Sequence, residues 1–232
     1  YGVIYNIYVR GVYREFGFNF NDDFIQCRRR GMKDWVGNKK STFATLGASN
    51  HSEHKREEHD FYSTDPKSLE IFLKAFLERD KNILTNEIWE CACGQGHLSE
   101  VLKQHGYNVI SSDLIDRGYG ASGIDFLKQN EKVNFDILTN PPYKYAQEFV
   151  EHALDIQQHG NKTIMLLKIQ FLEGQKRAKL FDKYPPKYVY VNSKRQICYL
   201  NGDMSKKMSS AACYCWFVWE KGYQGDPIIK RI

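Results

Sequence analysis

Two adjacent prolines, Pro141 and Pro142, stand directly after the apolar run Phe135-Asp136-Ile137-Leu138-Thr139. Proline has no amide hydrogen to give to a sheet ladder and its φ is fixed, so the pair forces the backbone out of a central strand at that point. The turn is flanked by a polar amide, Asn140, and an aromatic ring, Tyr143. A strand end that presents these two groups can begin a pocket for a flat, polar molecule. The same four residues would also serve as a rigid turn that only stops a strand.

The chemistry open to such a pocket follows from its parts. An exocyclic amino group on a nucleobase is a poor nucleophile, because its lone pair is delocalised into the ring. Acceptors held against both amino hydrogens, here the Asn140 side-chain oxygen and the Pro141 carbonyl, would draw that nitrogen towards tetrahedral geometry as a bond forms. Tyr143 would stack on a base rotated out of a duplex. The proton can leave after the nitrogen becomes cationic, so no strong general base is required.

A second constraint lies upstream. Glu87 to Leu102 (EIWECACGQGHLSEVL) reads as a buried strand, a glycine turn and an amphipathic helix. Gly94 and Gly96 allow φ > 0 and bring backbone amides close to a ligand. The turn lacks both GxGxxG and GK[ST], so an ordinary dinucleotide or a triphosphate is not favoured. Cys91 and Cys93 share one strand face and read as small core residues.

Other stretches point to the same edge. Residues Tyr107 to Ser112 form a second apolar strand ending at Asp113, about 20 residues past the glycine turn, where a carboxylate can accept from ribose hydroxyls. Gly123-Ile124-Asp125-Phe126-Leu127 sets an acid beside apolar residues, which suits an adenine ring; such an Asp also serves as a helix cap. Before the first strand, DFYSTDP leads into a helix with apolar residues at 69, 72, 73, 76 and 77. Thr64 or Asp65 starts that helix, and its amides could meet a carboxylate or simply be capped.

Downstream, KTIMLLK (Lys162 to Lys168), KYVYVN (Lys187 to Asn192) and CYCWFVWE (Cys213 to Glu220) read as strands, the first preceded by a helix over Tyr145 to Gln157. Strands alternating with helices give an α/β, mainly parallel sheet covered on both faces, with ligands at the carboxyl ends of the strands. With 232 residues, 42% of them hydrophobic, there is material for one sizeable core and not for a second full domain.

No run has the length of a membrane span and no leader is apparent, so the expectation is a cytoplasmic protein with no membrane partner. The net charge of +5 permits a polyanionic partner. Six scattered cysteines read as reduced thiols. His51, His54 and His59 lie in a polar stretch without the compact four-ligand spacing of zinc, so no metal is expected. Residues 1–38 read as an N-terminal extension outside the domain, with Met32 the expected natural start.

In their order, DFYSTDP, ECACGQG, Asp113, GIDF and NPPY resemble the S-adenosylmethionine-dependent amino-methyltransferases, and most of all the small phage- and prophage-type DNA N6-adenine methyltransferases. The resemblance runs from about Lys39 to Lys221. It implies a Rossmann-like class I methyltransferase fold, with a mostly parallel seven-stranded sheet and an antiparallel last strand, CYCWFVWE. Residues 39–232 would be the methyltransferase domain, without a separate target-recognition domain.

The resemblance also implies roles. S-adenosyl-L-methionine would be held by Tyr62, Thr64 and Pro66 before the first strand, by Glu90, Ala92, Gly94 and Gly96 at the glycine turn, by Asp113 at the ribose, and by Asp125 and Phe126 at the adenine. Asn140, Pro141, Pro142 and Tyr143 would be catalytic. Lys144, Lys168, Lys176, Arg177, Lys194 and Arg195 would touch double-stranded DNA through phosphates, which positions a duplex without reading its sequence; a lysine there can also be merely solvated. The implied reaction is methyl transfer to N6 of a flipped-out adenine. N4-cytosine in DNA, adenine in RNA, a protein glutamine, or a non-catalytic nucleic-acid-binding module are the alternatives.

Overall fold

The computed structural model describes residues 62–194, 198–200 and 212–232. The expectations for residues 1–61 and for Arg195 fall outside these. The chain runs β1 (Tyr62–Thr64), α1 (Pro66–Leu73), β2 (Glu87–Glu90), α2 (His97–Gln104), β3 (Asn108–Ser111), β4 (Asp136–Thr139), α3 (Ala146–Ile156), β5 (Lys162–Lys168), α4 (Ala178–Lys183), β6 (Tyr188–Val191), β7 (Cys198–Leu200), β8 (Tyr214–Glu220) and β9 (Ile228–Arg231).

Seven strands form one sheet in the order β3-β2-β4-β5-β8-β6-β9. All neighbours are parallel except that β8 runs antiparallel to both β5 and β6. CYCWFVWE is therefore the antiparallel strand expected, and it lies inside the sheet. One further strand, β9, follows it and pairs parallel with β6 at the edge. A second, two-stranded ribbon joins β1 to β7 antiparallel, with Thr64 opposite Cys198.

The period of two along a strand explains the two cores. Ile88, Leu138, Ile164, Leu166, Trp216 and Val218 face one way, towards Leu69, Phe72 and Phe76 of the first helix and its continuation and towards Leu102 of α2. Trp89, Ile137, Met165, Leu167, Phe217 and Trp219 face the other way, towards Phe149, Val150 and Leu154 of α3 and Leu180 of α4. A strand buried on both faces must be apolar throughout, which is why β5 and β8 read as unbroken apolar runs.

Helix α1 starts where the sequence indicated. Asp65 Oδ1 accepts from the Lys67 amide at 3.0 Å, and Pro66 occupies the first turn, where its missing N–H costs nothing. After Leu73 the helix continues over Lys74–Arg79 with a wider, π-type pitch. The starts of three strands are tied by one buried side chain: Asp136 accepts from the Thr85 amide at 2.9 Å and from the Lys162 amide at 2.6 Å. Burial holds this carboxyl above its ordinary pKa, against those hydrogen bonds.

Candidate functional site

At the carboxyl ends of β2 and β4 lies a cavity of about 630 Å³. Its walls come from the end of β2 and the turn after it, the start of α2, the loop from Asp113 to Leu127, the Asn140–Tyr145 turn after β4, Phe149 of α3 and Thr64 of β1. Cofactor-sized pockets span roughly 300–1,000 Å³, so the space suits a ligand of that class.

The glycine turn is shaped by backbone contacts. Gly94 has φ +55° and its amide donates to Asp113 Oδ2 at 2.8 Å, while the Ile115 amide donates to Oδ1 at 2.9 Å. Asp113 thus binds the turn to the next loop with both carboxylate oxygens, and it also lines the cavity. Each oxygen keeps a further lone pair for a ligand hydroxyl. Gly94 and Ala92 line the cavity; Gly96 does not. Gly96 sits at φ +80°, and a Cβ there would come within 2.5 Å of the Tyr119 ring.

Glu90 closes the floor. It is 2% exposed, and Ser99 Oγ donates to its Oε2 in a short contact that Ser111 Oγ extends at 2.7 Å. Burial pushes this carboxyl up to about 8, against the pull of the Ser99 hydrogen bonds. The group is accordingly mostly protonated at neutral pH, and a cation bound beside it would favour its ionised form.

Asp125 and Phe126 come next. Asp125 Oδ1 accepts from the Leu127 amide at 3.2 Å, the cap that the sequence allowed, and Oδ2 pairs with Lys128 at 3.0 Å. Phe126 is buried between Trp89 and Phe149, with ring centroids 5.2 and 4.9 Å away, and contributes an apolar surface to the cavity wall.

The turn after β4 brings Asn140, Pro141, Pro142 and Tyr143 to the cavity together. Asn140 Nδ2 donates to Thr64 Oγ1 at 2.9 Å. In this placement the amide nitrogen meets Thr64, and the oxygen is the acceptor end that an amino group would need. Tyr143 packs against both cores. Its ring is 5.8 Å from that of Tyr214, and the ammonium of Lys168 lies 5.3 Å from its centroid.

Several sequence expectations meet a different use. Thr64 lines the cavity, and its hydroxyl serves Asn140. Pro66 lies in the first turn of α1 and outside the cavity lining, and Tyr62 is placed in β1. Arg177 is engaged by its own loop. Its guanidinium donates to the carbonyls of Phe171 at 2.7 Å and Gln170 at 3.1 Å and to that of Glu173, and it stacks on Phe171 at 4.8 Å, so it closes its own loop. Lys144, Lys168, Lys176 and Lys194 are exposed, and Lys144 lines the cavity. His97, Leu114, Arg117 and Tyr145 also line it and were not expected. They flank the glycine turn, the acid and the prolines by one to four positions, which is the only signal that could have found them.

Among the described residues no cluster of His, Cys, Asp and Glu could hold a metal ion, and no helix is long and apolar enough to cross a membrane. No protein-family model matches the chain, and no curated protein sequence matches it. Solved structures share its architecture. A protein assigned as a class I S-adenosylmethionine-dependent methyltransferase from Listeria monocytogenes superposes with a TM-score of 0.52 at 13% identity, over 84% of this chain and 72% of that one. A protein assigned as an RNA methyltransferase from Pyrococcus horikoshii gives 0.52 at 16%, over 79% and 98%. The methyltransferase subunit of a type I restriction-modification system from Streptococcus thermophilus gives 0.54 at 15%, over 74% of this chain and 47% of that one.

The fold is that of the class I methyltransferases. The Rossmann-like sheet and its helices on both faces agree with the architecture expected from the sequence, and at these identities the likeness is one of fold.

Proposed function

We propose that the protein transfers a methyl group from S-adenosyl-L-methionine to N6 of an adenine flipped out of double-stranded DNA. The observation that carries this reading is a single cavity lined by the glycine turn, Asp113, Asp125 with Phe126, and the whole Asn140–Tyr143 turn.

The residues present fit the cofactor. Ala92 and Gly94 offer a turn without bulky side chains, Asp113 an acceptor for ribose hydroxyls, Asp125 and Phe126 an acceptor beside an aromatic surface, and Glu90 a buried acid below the turn. When bound, the cofactor supplies an activated methyl group on a sulfonium. Everything else is positioning and electrostatic preorganisation by the chain. Asn140 and the Pro141 carbonyl accept the amino hydrogens and draw the nitrogen lone pair out of conjugation. Tyr143, backed by Tyr214, provides the surface on which the base stacks. The surplus proton leaves the nitrogen once it is cationic.

Lys144 and Lys168, exposed beside the Asn140–Tyr143 turn, support a polyanionic substrate. One neighbour in fold is the methyltransferase subunit of a restriction-modification system, which agrees with DNA. The test is methyl transfer from radiolabelled cofactor to unmethylated DNA, RNA and protein pools, with nucleoside analysis of the labelled product. N6-methyl-deoxyadenosine is the expected product. Label in cytosine, RNA or protein would keep the fold and overturn the substrate.

A further inference from the structure

The two walls of the cofactor half of the cavity are separate stretches of chain. One is the turn Cys91–Gln95; the other is the loop 113–124, which carries Asp113, Arg117 and Ile124. Asp113 joins them on the inside. Tyr119 joins them on the outside, and nothing in the sequence singled it out.

The loop is closed at its neck. The Ala121 amide donates to Ser111 O at 2.9 Å, the Asp113 amide to Ala121 O at 2.9 Å, and the Ile124 amide to Asp113 O at 3.1 Å. Gly120 seats the returning strand so closely that a Cβ would lie 2.6 Å from Ser111 O and 3.0 Å from Cys93 Sγ. From that neck the Tyr119 ring lies across Gly96, the N-cap residue just before α2. Its hydroxyl donates to Glu100 Oε1 at 2.5 Å and accepts from Lys103 Nζ at 2.7 Å, and the same ammonium stands 5.0 Å from the ring centroid. A ring pressed on a glycine, with its hydroxyl held by two residues one turn apart on α2, fixes the loop against the helix.

We infer that Tyr119 is a positioning residue for S-adenosyl-L-methionine: by clasping Gly96, Glu100 and Lys103 it holds the loop bearing Asp113 at the separation from the glycine turn that the cofactor requires. The inference rests on the reading of this cavity as the cofactor site. Tyr119 is absent from the cavity lining, so it acts through the walls and not by contact. Glycine is needed at position 96 for the same reason, since any side chain would lift the clasp.

The test compares wild type with Tyr119→Ala, Tyr119→Phe, Gly96→Ala and the double variant Gly96→Ala/Tyr119→Ala. Calorimetric titration with S-adenosyl-L-methionine and S-adenosylhomocysteine is paired with thermal melting and with steady-state kinetics. Removing the clasp is expected to weaken cofactor binding by about tenfold, which is 1.4 kcal/mol. KM for the cofactor rises accordingly, with kcat at saturation changed by less than about threefold. Tyr119→Phe keeps the ring and loses the hydroxyl bonds, and falls between. Gly96→Ala binds worse than the double variant, because truncating the tyrosine removes the clash.

Wild-type affinity in Tyr119→Ala would overturn the inference. If that variant does not fold, wild-type affinity in both Tyr119→Phe and Gly96→Ala would do so. A wild-type protein that binds neither cofactor nor its demethylated product would overturn the cofactor reading itself, and the inference with it.

Discussion

Asn140 and Thr64, 76 positions apart, meet through a hydrogen bond of 2.9 Å from the amide nitrogen to the hydroxyl. Thr64 is 4% exposed, so packing holds its hydroxyl in place as the acceptor for Asn140. Thr64→Val keeps the shape and removes the acceptor that the Asn140 amide nitrogen meets. The expected result is a fall in kcat of about tenfold, about 1.4 kcal/mol in the barrier, with cofactor affinity within about twofold of wild type. An equal loss of cofactor affinity would return Thr64 to a cofactor-binding role.

Asn140→Ala and Tyr143→Ala are each expected to retain cofactor binding and lose methyl transfer. Tyr143 packs against both cores and beside Tyr214, so truncation also lowers stability. Tyr143→Phe separates the effects: it keeps the stacking surface and retains most of the activity. Full turnover by either alanine variant contradicts the assigned roles.

Glu90 makes stability and binding depend on pH in a defined direction. Its carboxyl is raised from 4.5 to about 8, by burial before anything else. Between those values the unfolded chain has lost a proton that the folded chain keeps, so stability falls as pH rises through the window and levels off above it. Glu90→Gln removes that slope in melting experiments. The wild type should also bind the cationic cofactor more tightly as pH approaches 8, and the glutamine variant should not.

Asp136 predicts a large, purely structural loss. Replacing it by Ala leaves the Thr85 and Lys162 amides without their acceptor, and denaturant unfolding should show a loss of about 3 kcal/mol. Asp136→Asn, with one acceptor oxygen, should lose less.

The basic residues divide in two. Lys144→Ala and Lys168→Ala should weaken DNA binding and each lower the slope of log affinity against log salt by up to about 0.9. Arg177→Ala should leave that slope unchanged and lower the melting temperature, since its guanidinium holds three carbonyls of its own loop.

What could be read from sequence was whatever has a local cause. The strands β2, β4, β5 and β8 were legible because burial on both faces demands apolar residues throughout. The glycine turn and the proline stop were legible because backbone geometry restricts residue choice on the spot. Strand β9 was not: Ile228–Arg231 is short and largely exposed, and only its pairing with β6 makes it a strand. The use of Thr64 by Asn140 and the grip of Tyr119 on Gly96 depend on distant parts of the chain meeting, which no local pattern records. The carbonyl contacts of Arg177 were not legible either, because a surface arginine near a basic loop looks the same whether it holds phosphates or carbonyls.

The place of β8 between β5 and β6 governs how the molecule can be made. Until the ribosome has delivered Tyr214–Glu220, β6 has no neighbour on its inner side and β5 ends in a bare edge. Sheet closure therefore waits for Tyr214–Glu220, and a chain stalled before Tyr214 would display two unpaired apolar edges of the kind that chaperones and proteases act upon.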